Sequence, residues 1–455
     1  MKKTLPFLLV VLFLFSSLST IASSTKENTT ADEYDMVIIT PQRFADTAQP
    51  LATHKTQHGI NTFIKTTEDI YKEYPGRDAP EQIKLFIKDA LEQHHIKFVL
   101  LFGGRKGQSL QYYIPGRYVQ LSDEFLETSY LSDLYYADIY KGNTTEFDSW
   151  DSNGDGVYAE WGKDSLDLTP DVYVGRLPCR YLFEARDVVE KIIAYENGNN
   201  HPWFDRLVVA GGDTNPGYGD PFPFEGEAIG NAVCDIMHNF TTTTLYVSDN
   251  TLTSSSDFLK AFNQGCGFLL FEGHGLQNAL VTYDTNQAKL DVFHNKYIRS
   301  LQNKERYPVC VLGCCVTGKF DVGLLNILHK GPMNGGKFGL SDCIPEELAW
   351  RLVRQRNAGS IATIASTSTV WGYVGDENHN GVPDIVENGL LGWINVEFFR
   401  LYAHEGKHLL GQAFGDSVKN YVATFPVHTN NLDCKTVQEM ILIGDPSLMI
   451  GGYGP

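Results

Sequence analysis

A chain of 455 residues is long enough for two domains, or for one large domain with subdomains that each bury a core. With 37 basic against 55 acidic residues, the net charge is −18 at pH 7, which argues against nucleic acid as a partner and suits cation sites. The acidic groups are spread along the chain, with no low-complexity tract and no heptad repeat.

The first stretch, MKKTLPFLLVVLFLFSSLSTIASS (1–24), has two lysines, an apolar run from Leu5 to Phe15 and then small residues. That is the order of an export signal, so a secreted protein is expected, with residues 25–33 as a short linker. No later apolar run is long enough to cross a bilayer, so no stable membrane insertion is expected. DMVIIT (35–40) reads as a buried strand. DAPEQIKLFIKDALEQH (78–94) reads as a helix capped by Asp78, with Ile83, Phe86, Ile87, Ala90 and Leu91 on one face. FVLLFGG (98–104) is the next strand, and ARDVVEKIIAYENG (185–198) is a helix that stops at Gly198.

After NNHPWF the alternation restarts with RLVVAGGD (206–213), which puts a subdomain boundary near residue 200. An N-terminal α/β subdomain is expected at 34–200 and a second subdomain at 201–455. Later strands are GFLLFEG (267–273), PVCVLG (308–313), SIATIAST (360–367) and EMILIG (439–444), with a helix at 345–359. The pattern predicts an α/β fold, a mostly parallel sheet with helices on both faces, in two subdomains.

In such sheets ligands bind beyond the carboxyl ends of the strands. One predicted strand ends by setting His274 between two glycines, and the next ends at Cys314 and Cys315. A free thiol has a pKa near 8.5, so an imidazole that accepts its proton supplies what acyl transfer through a thioester needs. The N–H of Gly275 and that of the cysteine are candidate donors to an oxyanion. Each motif alone reads more readily as a turn or a structural feature than as a catalytic one. On consecutive strand ends they are specific.

These motifs, FEGHG and GCCVTGKFD, together with CIPEELAWRLV (343–353) and GDPSLMIGG (444–452), resemble the gingipain-type cysteine peptidases, whose catalytic domain is caspase-like. The resemblance runs from YDMVIITPQRF onward and covers nearly the whole chain after the signal. It implies a caspase-like fold and a cysteine endopeptidase acting on protein or peptide substrates. The family histidine falls on His274 and the nucleophile on Cys315, with Cys314 as the alternative; an acid that orients the histidine falls on Asp213. Members that cleave after arginine or lysine carry an acid at the bottom of the specificity pocket. The matching positions here fall near Phe222 and Val374, both apolar, with Asp220, Glu225 and Asp376 close by. Asp220, Glu225 and Trp371 are therefore the substrate-binding candidates. A long insertion (322–342) is a candidate lid or autocleavable loop.

DENHNGVPDIVE (376–387) places Asp376, Asn378, Asn380, Asp384 and Glu387 at calcium-loop spacing, with the Val382 carbonyl as a further ligand. DSNGDGVYAE (151–160) is a variant, with Asp151, Asn153, Asp155, the Val157 carbonyl and Glu160 at the tenth position. Family members bind calcium, so structural Ca2+ is the expected cofactor. The eight cysteines lack CxxC spacing, which disfavours zinc. Two other readings remain open from sequence. One is transpeptidation of surface proteins, in which an amine resolves the thioester; the other is a non-catalytic calcium-binding scaffold.

Overall fold

Ten strands form one sheet in the computed structural model, which describes residues 33–121, 128–198, 202–217, 224–329 and 340–454. The export signal, most of the linker, Asp220 and the middle of the 322–342 insertion lie outside the described residues. From one edge the strand order is Thr62–Thr66, Met36–Thr40, Phe98–Phe102, Tyr173–Leu177 and Met440–Ile443. It continues through Ala362–Ser366, Val309–Gly313, Phe268–Glu272 and Arg206–Gly211 to Thr241–Tyr246. Every neighbouring pair is parallel except Met440–Ile443 against Ala362–Ser366.

The apolar runs explain this arrangement. Met36–Thr40, Phe98–Phe102, Phe268–Glu272 and Val309–Gly313 are buried at every position, as strands covered on both faces must be. Residues 33–455 make one compact unit. The boundary expected near 200 therefore falls inside it, between the helix Leu182–Glu196 and the strand Arg206–Gly211. The two expected subdomains share the sheet, joined where Ile443 pairs with Arg176.

Helix ends follow local chemistry. The helix Ala79–His94 starts where the Asp78 side chain accepts from the Glu81 amide at 3.0 Å. The helix expected over 345–359 is shorter, Leu348–Val353. Lys191 Nζ donates to the carbonyls of Val353 (2.9 Å), Gln355 (3.1 Å) and Ala358 (2.8 Å), acceptors that a continuing helix would need for its own amides. The chain unwinds there. All eight cysteines are free thiols. No helix among the described residues is long and apolar enough to cross a membrane.

Candidate active site

Strand register builds the site. The strands Phe268–Glu272 and Val309–Gly313 are neighbours, and Glu272 opposite Gly313 is their last rung. His274 and Cys315 each stand two residues beyond that rung, and both line one cleft of about 260 Å³. Thr214, Asn215, Thr369, Val370 and Trp371 form its more exposed lining; Gly226, Ile229, Glu272, Gly313, Ile385, Leu391 and Gly392 form its buried floor.

The adjacent cysteines point different ways. Cys315 is half-buried, lines the cleft, and its sulfur accepts from the Val370 amide at 3.4 Å. Cys314 is fully buried, 3.7 Å from the Thr317 hydroxyl, and burial pushes its thiol well above the usual cysteine range. Between Cys315 and the next segment the chain turns through Val316 at φ +49°, a left-handed conformation that β-branched residues rarely adopt. Two 2.8 Å bonds hold the turn, from the amides of Val316 and Gly318 to the carbonyls of Ser368 and Ser366.

Gly275 shows why no side chain is tolerated beside the histidine. A Cβ there would meet the Cys315 carbonyl, sit 2.9 Å from Cys314 Sγ and 3.0 Å from the Cys315 amide nitrogen. The backbones of the His274 and Cys315 segments are therefore in direct contact.

The imidazole is oriented from its far side. His274 Nε2 lies 2.7 Å from the carbonyl oxygen of Thr214, and the Tyr283 ring stands edge-on to it at 5.7 Å. A carbonyl only accepts, so Nε2 carries a hydrogen, and in the neutral ring Nδ1 is the nitrogen with the lone pair. That carbonyl belongs to the residue after Asp213, the acid expected to orient the histidine. Asp213 shapes that turn: its carboxylate accepts from the Asn215 amide at 2.8 Å, and its own carbonyl accepts from Tyr283 N (3.1 Å) and Thr282 Oγ1 (2.9 Å). Glu225, expected at the substrate, does not line the cleft. Its buried carboxylate accepts from the amide and hydroxyl of Thr214, each at 2.9 Å, because that acceptor fixes the same turn. Trp371 lines the cleft as expected. Sequence reasoning missed Thr214, because a backbone carbonyl carries no residue signature.

Glu272 was also missed. It is 2% exposed, and burial pushes its carboxyl up to about 8, with the hydrogen bond from Asn395 Nδ2 (2.8 Å) pulling the other way. Its carboxylate occupies the space that a side chain on Gly313 would take.

The two acidic loops differ. In the 376–387 loop, the amides of Asn378 and Asn380 both donate to Glu387 Oε1, at 2.7 and 2.6 Å. The Asp376 carboxylate accepts from the amides of Asn380 (3.1 Å) and Gly381 (2.9 Å), and Asn380 Oδ1 accepts from Val382 N at 2.7 Å. Oxygen-bearing side chains from the first, third, fifth and twelfth positions thus converge. The buried Asp384 is turned aside to the Glu377 amide (3.0 Å) and Asn388 (2.7 Å). In the 151–160 loop, Asp151 already pairs with Arg77 at 2.5 Å and Glu160 with Lys163 at 2.6 Å, while Asn153 and Asp155 bond to each other and the Asp155 carboxylate takes the Val157 amide. That loop carries its own cations and fits an added one poorly. No three His, Cys, Asp or Glu side chains among the described residues gather as a metal cluster, so an ion at 376–387 would rest on amide oxygens as well as carboxylates.

Comparisons with known proteins agree with this architecture. The profile described as Peptidase family C25 matches residues 29–451. Gingipain R2 of Porphyromonas gingivalis is 22% identical over 340 residues, 73% of this chain and 36% of that protein. Gingipain R1 of the same organism is 21% identical over 73% of this chain and 27% of its own length, so the chain spans about a third of these relatives. A crystal structure of the Arg-specific cysteine proteinase gingipain R superposes with a TM-score of 0.61 at 18% identity, covering 93% of this chain and 79% of that one. The fold is thus the caspase-like α/β fold of the gingipains, and the chain belongs to peptidase family C25.

Proposed function

We propose that the chain is a secreted cysteine endopeptidase that cleaves peptide bonds through Cys315 and His274. The carrying observation is that Cys315 and His274 line one cleft two residues past a shared rung, while Nε2 of the imidazole is engaged by the Thr214 carbonyl. His274 Nδ1 takes the Cys315 thiol proton, and the thiolate attacks the scissile carbonyl carbon. As the C–S bond forms, the carbonyl electron pair moves to oxygen, facing the N–H groups of Gly275 and Cys315. The imidazolium gives its proton to the leaving amine as the C–N bond breaks. Water then attacks the thioester with His274 as base, releasing the acid and restoring the thiol. Asp213 and Glu225 are positioning residues, acting through the Thr214 turn.

Calcium at the 376–387 loop completes the reading, held by Asp376, Asn378, Asn380, Glu387 and the Val382 carbonyl. The ion would supply structural rigidity only. Gly375 accepts from the Asp384 amide at 2.8 Å, and Trp371 and Ile385, on either side of the loop's start, line the cleft. The test is hydrolysis of a peptide library by the unsubstituted protein, Cys315→Ala and Cys314→Ala. Activity lost in the first variant and kept in the second is expected; the reverse overturns the nucleophile assignment.

A further inference from the structure

We propose that the exposed face beside His274, centred on Leu276, is the subsite for the residue that follows the scissile bond and takes a large apolar side chain there. The inference rests on the peptidase reading of the same cleft and adds a requirement on the leaving half of the substrate. It starts from the order of the strand ends. Cys315 follows the strand Val309–Gly313; Thr369, Val370 and Trp371 follow its neighbour on one side, and His274 follows its neighbour on the other. All three strands run parallel, so these residues stand along one edge of the sheet. A peptide attacked by Cys315 has its leaving nitrogen on the His274 side, because that imidazole protonates it. The acyl half then lies toward Val370 and Trp371, and the leaving half continues past His274.

The ladder around the histidine decides where that half goes. His274 pairs with Val281 and Leu276 with Ala279 across an antiparallel pair, while Gly275 between them is turned to the Cys315 backbone. His274 and Leu276 therefore share a face, about 7 Å apart, and Tyr283 lies on that face beyond Val281. The imidazole thus has a tyrosine on one side and a leucine on the other. The tyrosine side is closed: Tyr283 bridges to Asp213, and the Thr214 carbonyl engages Nε2. The leucine side is open, with Leu276 44% exposed. The first Cα past the scissile bond is bonded to the nitrogen that His274 protonates. From there a side chain the size of leucine or phenylalanine reaches Leu276, and one the size of alanine falls short.

The exposure of Leu276 is part of a cluster. Of the twelve large apolar side chains exposed among the described residues, six are Leu276, Leu324, Leu325, Ile327, Leu328 and Leu340. Gln277, the residue after Leu276, donates to Ser341 Oγ (3.0 Å) and Asp342 Oδ1 (2.8 Å). The Asp342 carbonyl in turn accepts from the Gly323 amide (3.0 Å) and Asn326 Nδ2 (3.1 Å). The turns that carry the other five apolar side chains are thereby tied to the end of the histidine strand. Scattered apolar side chains need no explanation, but a cluster that continues a cleft marks a surface for a ligand. A polypeptide leaving this cleft past His274 is the occupant whose path leads there.

The test uses two quenched peptides built on the bond that the unsubstituted protein cleaves best in a peptide library. They differ only at the residue after that bond, leucine in one and its near-isosteric polar counterpart asparagine in the other. kcat/KM is expected to be roughly 5- to 20-fold higher for the leucine peptide, what covering half or more of a leucine side chain supplies. In Leu276→Asn the ratio should fall below about 3-fold, and in Leu276→Met it should be retained. A purely structural role for Leu276 slows both peptides alike and leaves the ratio standing, which overturns the proposal. Equal rates on the unsubstituted protein overturn it whatever the variants do. If a second copy of the chain covers this face instead, light scattering shows a dimer that Leu328→Asn dissociates while the two peptides react alike, which overturns it as well. Hydrolysis without the leucine preference removes this subsite and leaves the peptidase reading. No hydrolysis of any peptide removes that reading, and the subsite with it.

Discussion

Lys55 and Glu272 are both buried ionisable side chains, yet Lys55 donates to Glu196 at 2.7 Å and lies 2.8 Å from Asp445, whereas among the described residues Glu272 has a single amide partner. Arg176 repeats the first pattern, bonding Asp133 at 2.6 and 2.8 Å. Burial by itself would lower the pKa of Lys55, but Asp445 and Glu196 outweigh it and hold the ammonium charged. At Glu272 burial goes almost unopposed and the carboxyl stays neutral up to about 8. Lys55 has its counter-charges built into the fold, whereas among the described residues the Glu272 carboxyl has an amide and no cation.

The comparison can be tested from both sides. The largest effect is expected at the cleft: Cys315→Ala should lower peptide hydrolysis by about 10⁴-fold or more, while Cys314→Ala in the same assay stays within about 10-fold. Next comes the paired interior. Lys55→Met should cost about 3–5 kcal/mol, read as a lowered denaturant midpoint, because it strands Glu196 and Asp445 without their cation. A cost under about 1 kcal/mol would show that the ion pair is not what closes that region.

Glu272→Gln should behave in the opposite way, leaving stability unchanged or raised, with a gain that grows with pH. The sign follows from linkage. Unfolded, the carboxyl ionises near 4.3; folded, it keeps its proton until about 8. Folding therefore takes up a proton in that window, and wild-type stability falls as pH rises through it. Melting temperatures of the two proteins should converge at pH 4 and separate by pH 8. A constant gap would place the charge elsewhere. The smallest effect is expected from calcium. Chelation should lower the melting temperature by a few degrees, about what 100-fold saturation of a single site supplies, and Glu387→Gln should abolish the response.

Much of the fold was legible because the strands are continuous apolar runs and burial on both faces requires such runs. Met36–Thr40, Phe98–Phe102, Phe268–Glu272 and Val309–Gly313 all lie inside the segments expected. The helix expected at 345–359 was overextended because Lys191, far away in sequence, claims three of its carbonyls. The site shows the same division. His274 and Cys315 stand out because glycine and cysteine at strand ends are chemically unusual. Thr214 does not, since its contribution is a peptide oxygen, and Glu272 reads as one more polar residue closing a strand.

The sequence by itself determined the elements, the two reactive side chains and the edge they share, because periodicity and reactive side-chain chemistry are local properties. Only the tertiary structure decided which cysteine faces the cleft, which oxygen holds the imidazole, and that the carboxyl over Gly313 lies buried with, among the described residues, an amide rather than a cation beside it. Those depend on which backbones approach each other across the sheet, and that packing brings together residues that no window along the chain connects.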